Sequence, residues 1–328
     1  MIITRAPFRI PLGGGGTDLP SYYSKFGGEL ISVAVDKYMF VAVNRPMVDK
    51  LIRIKYTRSE MVESVDQIQH ELVREALKIL RIDNSIEISS MADIPSGTGM
   101  GSSGSYLVAL LKALHTFKRE EVQVKQVADE ACLIEIEKLS KPVGKQDQYM
   151  AAFGGLTRLT IDKKGRVDVF KPDLPTGTMK ELENSLCVFY TGIKRDSGEV
   201  LTKQSKATSE GNKHVIDSLH YIKELGGEIY KAILKGNVNK FGALMDLHWQ
   251  YKRRLSGNVS NSDIDRWYQE GKYAGALGGK IMGAGGGGFL MFCCPGDKTA
   301  LRGAMAEQGL KELFFNFDLD GVKILVDF

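Results

Sequence analysis

The chain lacks a metal-binding or disulfide framework. Its four cysteines, Cys132, Cys187, Cys293 and Cys294, form no CxxC pair and no Cys/His ligand spacing, which excludes zinc-finger and disulfide-scaffold readings and leaves buried thiols. No run approaches the roughly 20 apolar residues that a bilayer span needs. The opening residues show no charged-then-apolar leader pattern, so a cytoplasmic protein without membrane attachment is expected. An excess of charge is lacking too: 44 Lys and Arg face 40 Asp and Glu, a net +4, too slight a bias for nucleic acid yet compatible with small anions. No low-complexity tract and no repeat at a period of about 20–50 residues interrupts the chain. No GxxxxGK[ST] string occurs either, so a Walker A loop is absent.

What is present is enough chain for two packed lobes, 328 residues, since single cores stop growing near about 250–300. Residues 2–4, 29–35, 38–44 and 51–56 are β-branched and aromatic and read as strands. Residues 65–80 read as a helix, 85–89 as a half-buried strand, and 93–104 as a glycine-rich loop. A helix follows, with Leu107, Leu110, Leu111, Leu114 and Phe117 at helical spacing, then a second over 124–139 that stops ahead of Pro142. Strands at 155–161, 167–170 and 186–190 give way to a mainly helical stretch, 198–273. Sheet returns over 278–294 and 322–328, with a helix at 299–308 between them. Sheet at both ends predicts an α+β fold in which the last segment packs against the first half, with lobes spanning residues 1–180 and 181–328.

Glycine is the abundant residue, and 13 of its 36 copies fall in three places: 13–16, the quartet Gly97, Gly99, Gly101 and Gly104, and Gly283 with 285–288. Each glycine costs roughly 0.5–1 kcal/mol of backbone entropy relative to alanine, so clusters mark special backbone shapes or ligands approaching main-chain N–H groups. In Pro95-Ser96-Gly97-Thr98-Gly99-Met100-Gly101-Ser102-Ser103-Gly104 a helix starts at the serines, and a helix N-terminus behind glycines is an anion cradle. One serine is expected to cap that helix and the other to offer a hydroxyl to Mg²⁺. The same segment matches GxGxxG, with Glu120 and Glu121 near the place of a dinucleotide fold's ribose-binding acid. That reading leaves the other two clusters unexplained, and residues 93–98 separate the match from the preceding strand.

Three motifs together resemble the GHMP kinase family. They are Ala6-Pro7-Phe8-Arg9-Ile10-Pro11-Leu12-Gly13-Gly14-Gly15-Gly16-Thr17-Asp18, the segment 95–105, similar to Pro-x-x-x-Gly-Leu-Gly-Ser-Ser, and Lys280-Ile281-Met282-Gly283-Ala284-Gly285-Gly286-Gly287-Gly288-Phe289. They stand in family order and reach from residue 6 to 289. The resemblance implies an S5-like mixed α/β N-terminal lobe, a ferredoxin-like C-terminal lobe, an active site between them, and ATP with Mg²⁺ as cofactors. Departures occur at 14–16, where galactokinases tend to carry Gly-Glu-His, and at Met100, where leucine is usual. The string 13–20 with Tyr22-Tyr23 resembles the subgroup acting on D-glycero-D-manno-heptose 7-phosphate, with fucokinase-like enzymes close by. A sugar phosphate and ATP are therefore the implied partners; a homodimer is compatible with the chain.

On the family pattern, Asp147 in Gly144-Lys145-Gln146-Asp147-Gln148 holds the anomeric hydroxyl. Arg9 stabilises the transferring phosphate, and Lys145 lowers the pKa of Asp147 or touches phosphate. The loop residues Pro95, Gly97, Gly99, Met100, Gly101, Ser102, Ser103 and Gly104 grip ATP. Ser103 with Glu135 holds Mg²⁺. Glu135 also stands out on spacing alone, sharing a helical face with Ala128 and Ala131, whereas Glu130 and Glu137 read as a solvated edge. Thr17, Asp18, Gly15, Gly16, Gly285 and Gly286 are the expected sugar contacts, with a turn as the alternative role of Asp18. For a remote phosphate, Lys194-Arg195 and Lys252-Arg253-Arg254 are both candidates, and His248 and Trp249 read as packing. Two other classes remain beside the heptose phosphate kinase: another anomeric sugar kinase, and a non-catalytic sugar- and ATP-binding regulator.

Overall fold

The computed structural model describes residues 1–194 and 197–328. Its first sheet is built on two long strands. Ile2–Gly13 and Gly28–Asn44 pair antiparallel from Ile2 against Val43 to Gly13 against Ile31, with register shifts at Pro7/Phe8 and Pro11/Gly13. Each shift falls at a proline, which has no N–H to give the ladder. The first shift leaves Asp36 and Lys37 as a bulge, so the two strands expected at 29–35 and 38–44 are one continuous strand. That strand is long enough to take two neighbours on one edge: Ile86–Ala92 along residues 39–44 and Leu156–Ile161 along residues 28–33. Ile52–Lys55, Ser59–Val62, Val167–Phe170 and Lys323–Asp327 complete eight strands. All pairs are antiparallel except Ile52–Lys55 with Ile86–Ala92.

Helices Ser102–Phe117 and Gln146–Phe153 pack on the two long strands. The apolar spacing read from the sequence is what does this: Leu107, Leu110, Leu111 and Leu114 are all fully buried beside Phe8, Ile10 and Leu12. The helix expected at 65–80 is instead a short turn, Val65–Gln67, and a helix, Glu71–Leu80. Ser64 and Gln67 form a capping box on the first piece and His70 caps the second, so local side-chain bonds divide the run.

The second sheet has the order Lys311–Glu312, Leu186–Tyr190, Phe289–Cys293, Gly278–Ile281, all antiparallel. In chain order its elements run β-α-β-β-α-β with spatial order 4-1-3-2, the ferredoxin-like arrangement. Helices Val238–Lys252, Ser262–Tyr273 and Thr299–Glu307 pack on it, while Lys213–Leu234 lies against Val238–Lys252 and the two long strands of the first sheet. Every strand up to Val167–Phe170 belongs to the first sheet and helix Thr176–Ser185 leads to the second. Lys323–Asp327 returns to pair with Ile2–Arg5, so the chain closes on its own beginning. All four cysteines are buried and unbridged, and no described helix is long and apolar enough to cross a membrane.

The two halves meet through backbone. A Cβ on Gly283 would lie 2.8 Å from Gly99 Cα, and one on Gly288 would lie 2.1 Å from the carbonyl oxygen of Thr98. Gly288 also has φ +85°. Gly288→Ala is therefore expected to destabilise by at least about 1–3 kcal/mol. Urea unfolding checks this; an unchanged midpoint would show that the two loops separate freely.

Candidate active site between the two glycine-rich loops

The site forms where strand Ile2–Gly13, the loop before helix Ser102–Phe117 and the start of helix Gln146–Phe153 converge. Gly97, Gly99 and Gly101 all have positive φ, at 78°, 83° and 85°, a loop shape that turns successive N–H groups toward one concavity. Gly101 occupies the cap position of helix Ser102–Phe117, and no side chain caps it. The expectation that Ser102 or Ser103 caps is thus corrected: both lie in the first turn, because the left-handed glycine already ends the loop. The Ser102 hydroxyl is buried without a partner among the described residues, while Ser103 is exposed.

Arg9 and Asp147 are the centre. Arg9 is 5 % exposed, and its Nε and Nη2 reach Asp147 Oδ1 at 2.8 and 2.6 Å. Nη1 donates to the Gly99 carbonyl at 2.6 Å, and the Arg9 amide donates to that of Met100. Both side-chain contacts fall on Oδ1, and the Asp147 side chain keeps 29 % of its surface exposed, leaving Oδ2 for a ligand. Glycine is what lets Asp147 come so close to the loop. A Cβ on Gly101 would sit 3.0 Å from its Cγ, and one on Gly104 2.7 Å from its Cβ.

Glu135 is fully buried. It lies in a π-helical turn, Leu133–Lys138, that continues helix Val124–Cys132; such turns recur at functional sites because they re-aim side chains. Gln148 Nε2 donates to Oε2 at 2.6 Å, and Oε1 has no hydrogen-bond partner. Burial raises the Glu135 pKa, against the lowering effect of Ser103 and then Gln148. An orphaned carboxylate oxygen with the Ser103 side chain close by fits a cation. Among the described residues no cluster of three or more His, Cys, Asp or Glu could hold a metal, so a cation held here would share its shell with ligand oxygens, as Mg²⁺ does. Glu130, expected on a solvated edge, is half-buried and hydrogen-bonded to His115 Nε2 at 2.8 Å.

The remaining expected residues divide. Gly97, Gly99, Gly101, Ser102, Ser103, Gly15, Gly16 and Asp18 line one cavity of about 250 Å³ with Arg9 and Asp147. Asp18 is buried and accepts from the Gln146 amide at 3.1 Å. Its pKa is raised by burial, opposed by that amide and raised further by Asp147. Met100 is in the core and contributes only its backbone. Neither Pro95 nor Gly104 lines the cavity.

Three expectations are corrected. Lys145 points away: its Nζ donates to the Gly165 carbonyl at 2.6 Å and lies over the Tyr23 ring, because residue 145 precedes the helix and its side chain leaves on the opposite side from Asp147. Thr17 is consumed by its own turn, its hydroxyl donating to the Gly14 and Glu29 carbonyls. Gly285 and Gly286 pack on Val259, where the Gly286 amide donates to its carbonyl at 2.7 Å; Gly283 and Ala284 line the cavity instead. Of the basic clusters, Lys252 lines the cavity, Arg253 pairs with Asp265 at 2.8 Å and Arg254 covers Tyr251. Lys194 is exposed, and Arg195 lies outside the described residues.

Sequence reasoning missed Gln204, His248 and Lys280, all buried and all lining the cavity. Signals existed: His248 and Lys252 are one helical turn apart on one face, and Lys280 is a lone charge inside an apolar strand.

Comparison with known proteins gives the family. The model for the GHMP kinases N terminal domain matches residues 61–155 and that for GHMP kinases C terminal matches 229–310. The chain belongs to the GHMP kinase family and is a phosphotransferase. Among curated relatives, D-glycero-alpha-D-manno-heptose 7-phosphate kinase of Campylobacter jejuni is 27% identical over 98% of both chains. L-fucokinase/L-fucose-1-P guanylyltransferase of Bacteroides fragilis is 23% identical over 91% of this chain and 35% of its own. The crystal structure of a D-glycero-D-manno-heptose 1-phosphate kinase from Bacteroides thetaiotaomicron, 23% identical, superposes with a TM-score of 0.82 over 100% of both chains.

The burial of Glu135 gives a signed prediction. Because its folded pKa is raised, its charge destabilises the fold increasingly as pH rises through that value, and the penalty vanishes in acid. Glu135→Gln is expected to raise Tm, with a gap over wild type that widens as pH rises from the ordinary carboxylate range toward the raised folded value. Scanning calorimetry of nucleotide-free protein reads this; a gap independent of pH would contradict it.

Proposed function

We propose that this enzyme transfers the γ-phosphoryl group of ATP to the anomeric hydroxyl of D-glycero-D-manno-heptose 7-phosphate, giving the 1,7-bisphosphate for nucleotide-activated heptose synthesis. The observation that carries the reading is the Arg9–Asp147 pair at the edge of the glycine-rich loop, in one cavity with Asp18. The choice of acceptor is supported by the full-length likeness to the Campylobacter jejuni heptose phosphate kinase.

The loop amides and the start of helix Ser102–Phe117 bind the triphosphate. Asp147 accepts the acceptor's anomeric O–H at Oδ2 while Arg9 fixes the carboxylate through Oδ1. As the anomeric oxygen bonds to the γ-phosphorus, the bond from phosphorus to the bridging oxygen of ADP breaks, and the proton passes to Asp147 and on to solvent. Arg9 meanwhile offers fixed positive charge to the phosphoryl oxygens. Asp18 orients a sugar hydroxyl. Glu135 and Ser103 would hold Mg²⁺, which would supply charge neutralisation for the triphosphate.

Phosphorus NMR with ATP, Mg²⁺ and heptose 7-phosphate is expected to show a new anomeric phosphate. Consumption of ATP only with fucose or galactose would place the enzyme with the fucokinase- and galactokinase-like members instead, and binding of sugar and ATP without turnover would make it a regulator. Asp147→Asn is expected to lower kcat by about 100-fold or more while leaving KM for ATP within about threefold; steady-state kinetics decide.

A further inference from the structure

The second lobe lends the cavity two side chains that the transfer chemistry above does not use. Lys280, on strand Gly278–Ile281, is 1 % exposed and makes one hydrogen bond, from Nζ to the Leu12 carbonyl at 3.1 Å. No carboxylate pairs with it among the described residues. Burial, and then the Arg9 charge, push its pKa down to about 7. His248, on helix Val238–Lys252, is also 1 % exposed, and neither ring nitrogen has a partner among the described residues. One turn further on, Lys252 donates to the Ile281 and Gly283 carbonyls at 2.7 and 2.6 Å, bracing the same wall. A buried ammonium without a counter-ion and a buried imidazole with two idle nitrogens are costly unless a ligand completes them.

We propose that Lys280 and His248 form an anion subsite that receives the remote phosphate of the acceptor. Its acceptor rests on the kinase reading above. The position agrees. Leu12, to which Lys280 is tied, stands three residues along the strand from Arg9, roughly 10 Å at the rise of a strand. That separation along the strand sets the Lys280 end of the cavity apart from the main chain at Arg9. The strand ends at Gly13, and the turn that follows carries Gly15 and Gly16, which line the same cavity with Gln204. Neither basic cluster expected from the sequence is needed for this role, since Arg253 and Arg254 are engaged with Asp265 and Tyr251.

The test compares two acceptors, heptose 7-phosphate and the same heptose without phosphate, in the full chain and in Lys280→Met and His248→Phe. In each variant KM for the phosphorylated acceptor is expected to rise about 30-fold or more, the loss of a charged hydrogen bond, with KM for ATP and for the neutral heptose shifting less than about threefold. Equal losses on both acceptors, or a rise confined to KM for ATP, would overturn the subsite. If wild type phosphorylates neither acceptor, the kinase reading fails by itself, and calorimetric titration of heptose 7-phosphate into ADP-loaded protein judges the subsite. Weaker binding by the variants than by wild type then supports it; equal binding, or none to wild type, sinks it. Should Lys280→Met not fold, Lys280→Gln and His248→Phe make the same comparison.

Discussion

The guanidinium of Arg9 ties three segments of chain that are far apart in sequence: the strand that carries it, the loop at Gly99, and the helix that begins at Gln146. A nearly buried arginine needs its carboxylate, because removing one member of such a pair leaves an uncompensated charge worth about 3–5 kcal/mol. The phosphate loop therefore has no independent position. Its Gly99 carbonyl is held by the same side chain that fixes Asp147 and its Met100 carbonyl by the Arg9 amide, so on the proposed reading the group that would present the acceptor and the loop that would present the donor share one rigid reference. For phosphoryl transfer, in which little covalent work falls to the protein, such fixed relative placement is the main thing a scaffold can provide.

Glycine makes that placement sterically feasible. Gly101 and Gly104 clear room for Asp147, and Gly144 does the same for Asp18, where an added Cβ would lie 1.9 Å from Oδ2. Glycine around this loop thus serves two demands at once, the left-handed turns at Gly97, Gly99 and Gly101 and bare Cα atoms toward Asp147. Residues 285–288 answer a different need, close contact with Val259, Ile193 and Thr98, and so build the wall of the cavity more than its lining.

Local patterns carried most of the architecture. The leucine spacing of helix Ser102–Phe117, the sheet at both ends and the isolated carboxylate on the face of Ala128 and Ala131 all follow from periodicity, which depends on near neighbours in the chain. What stayed hidden depends on partners that periodicity does not name. The direction of Lys145 is set by Gly165 and Tyr23, and the division at Ile68 by caps. The continuity of Gly28–Asn44 comes from a proline in the opposite strand. His248 looked like packing because its helix is amphipathic, and only the fold brings Lys280 alongside.

The seam where Gly283 meets Gly99 and Gly288 meets Thr98 gives the two ligands a common mechanical fate. Backbone resting on backbone has no flexible side chain to absorb a displacement, so any tilt of the second lobe would be handed directly to the loop at Thr98 and Gly99. On the proposed reading, occupancy by acceptor or nucleotide would then change the free energy of filling the other place, and by thermodynamic linkage the change would be reciprocal.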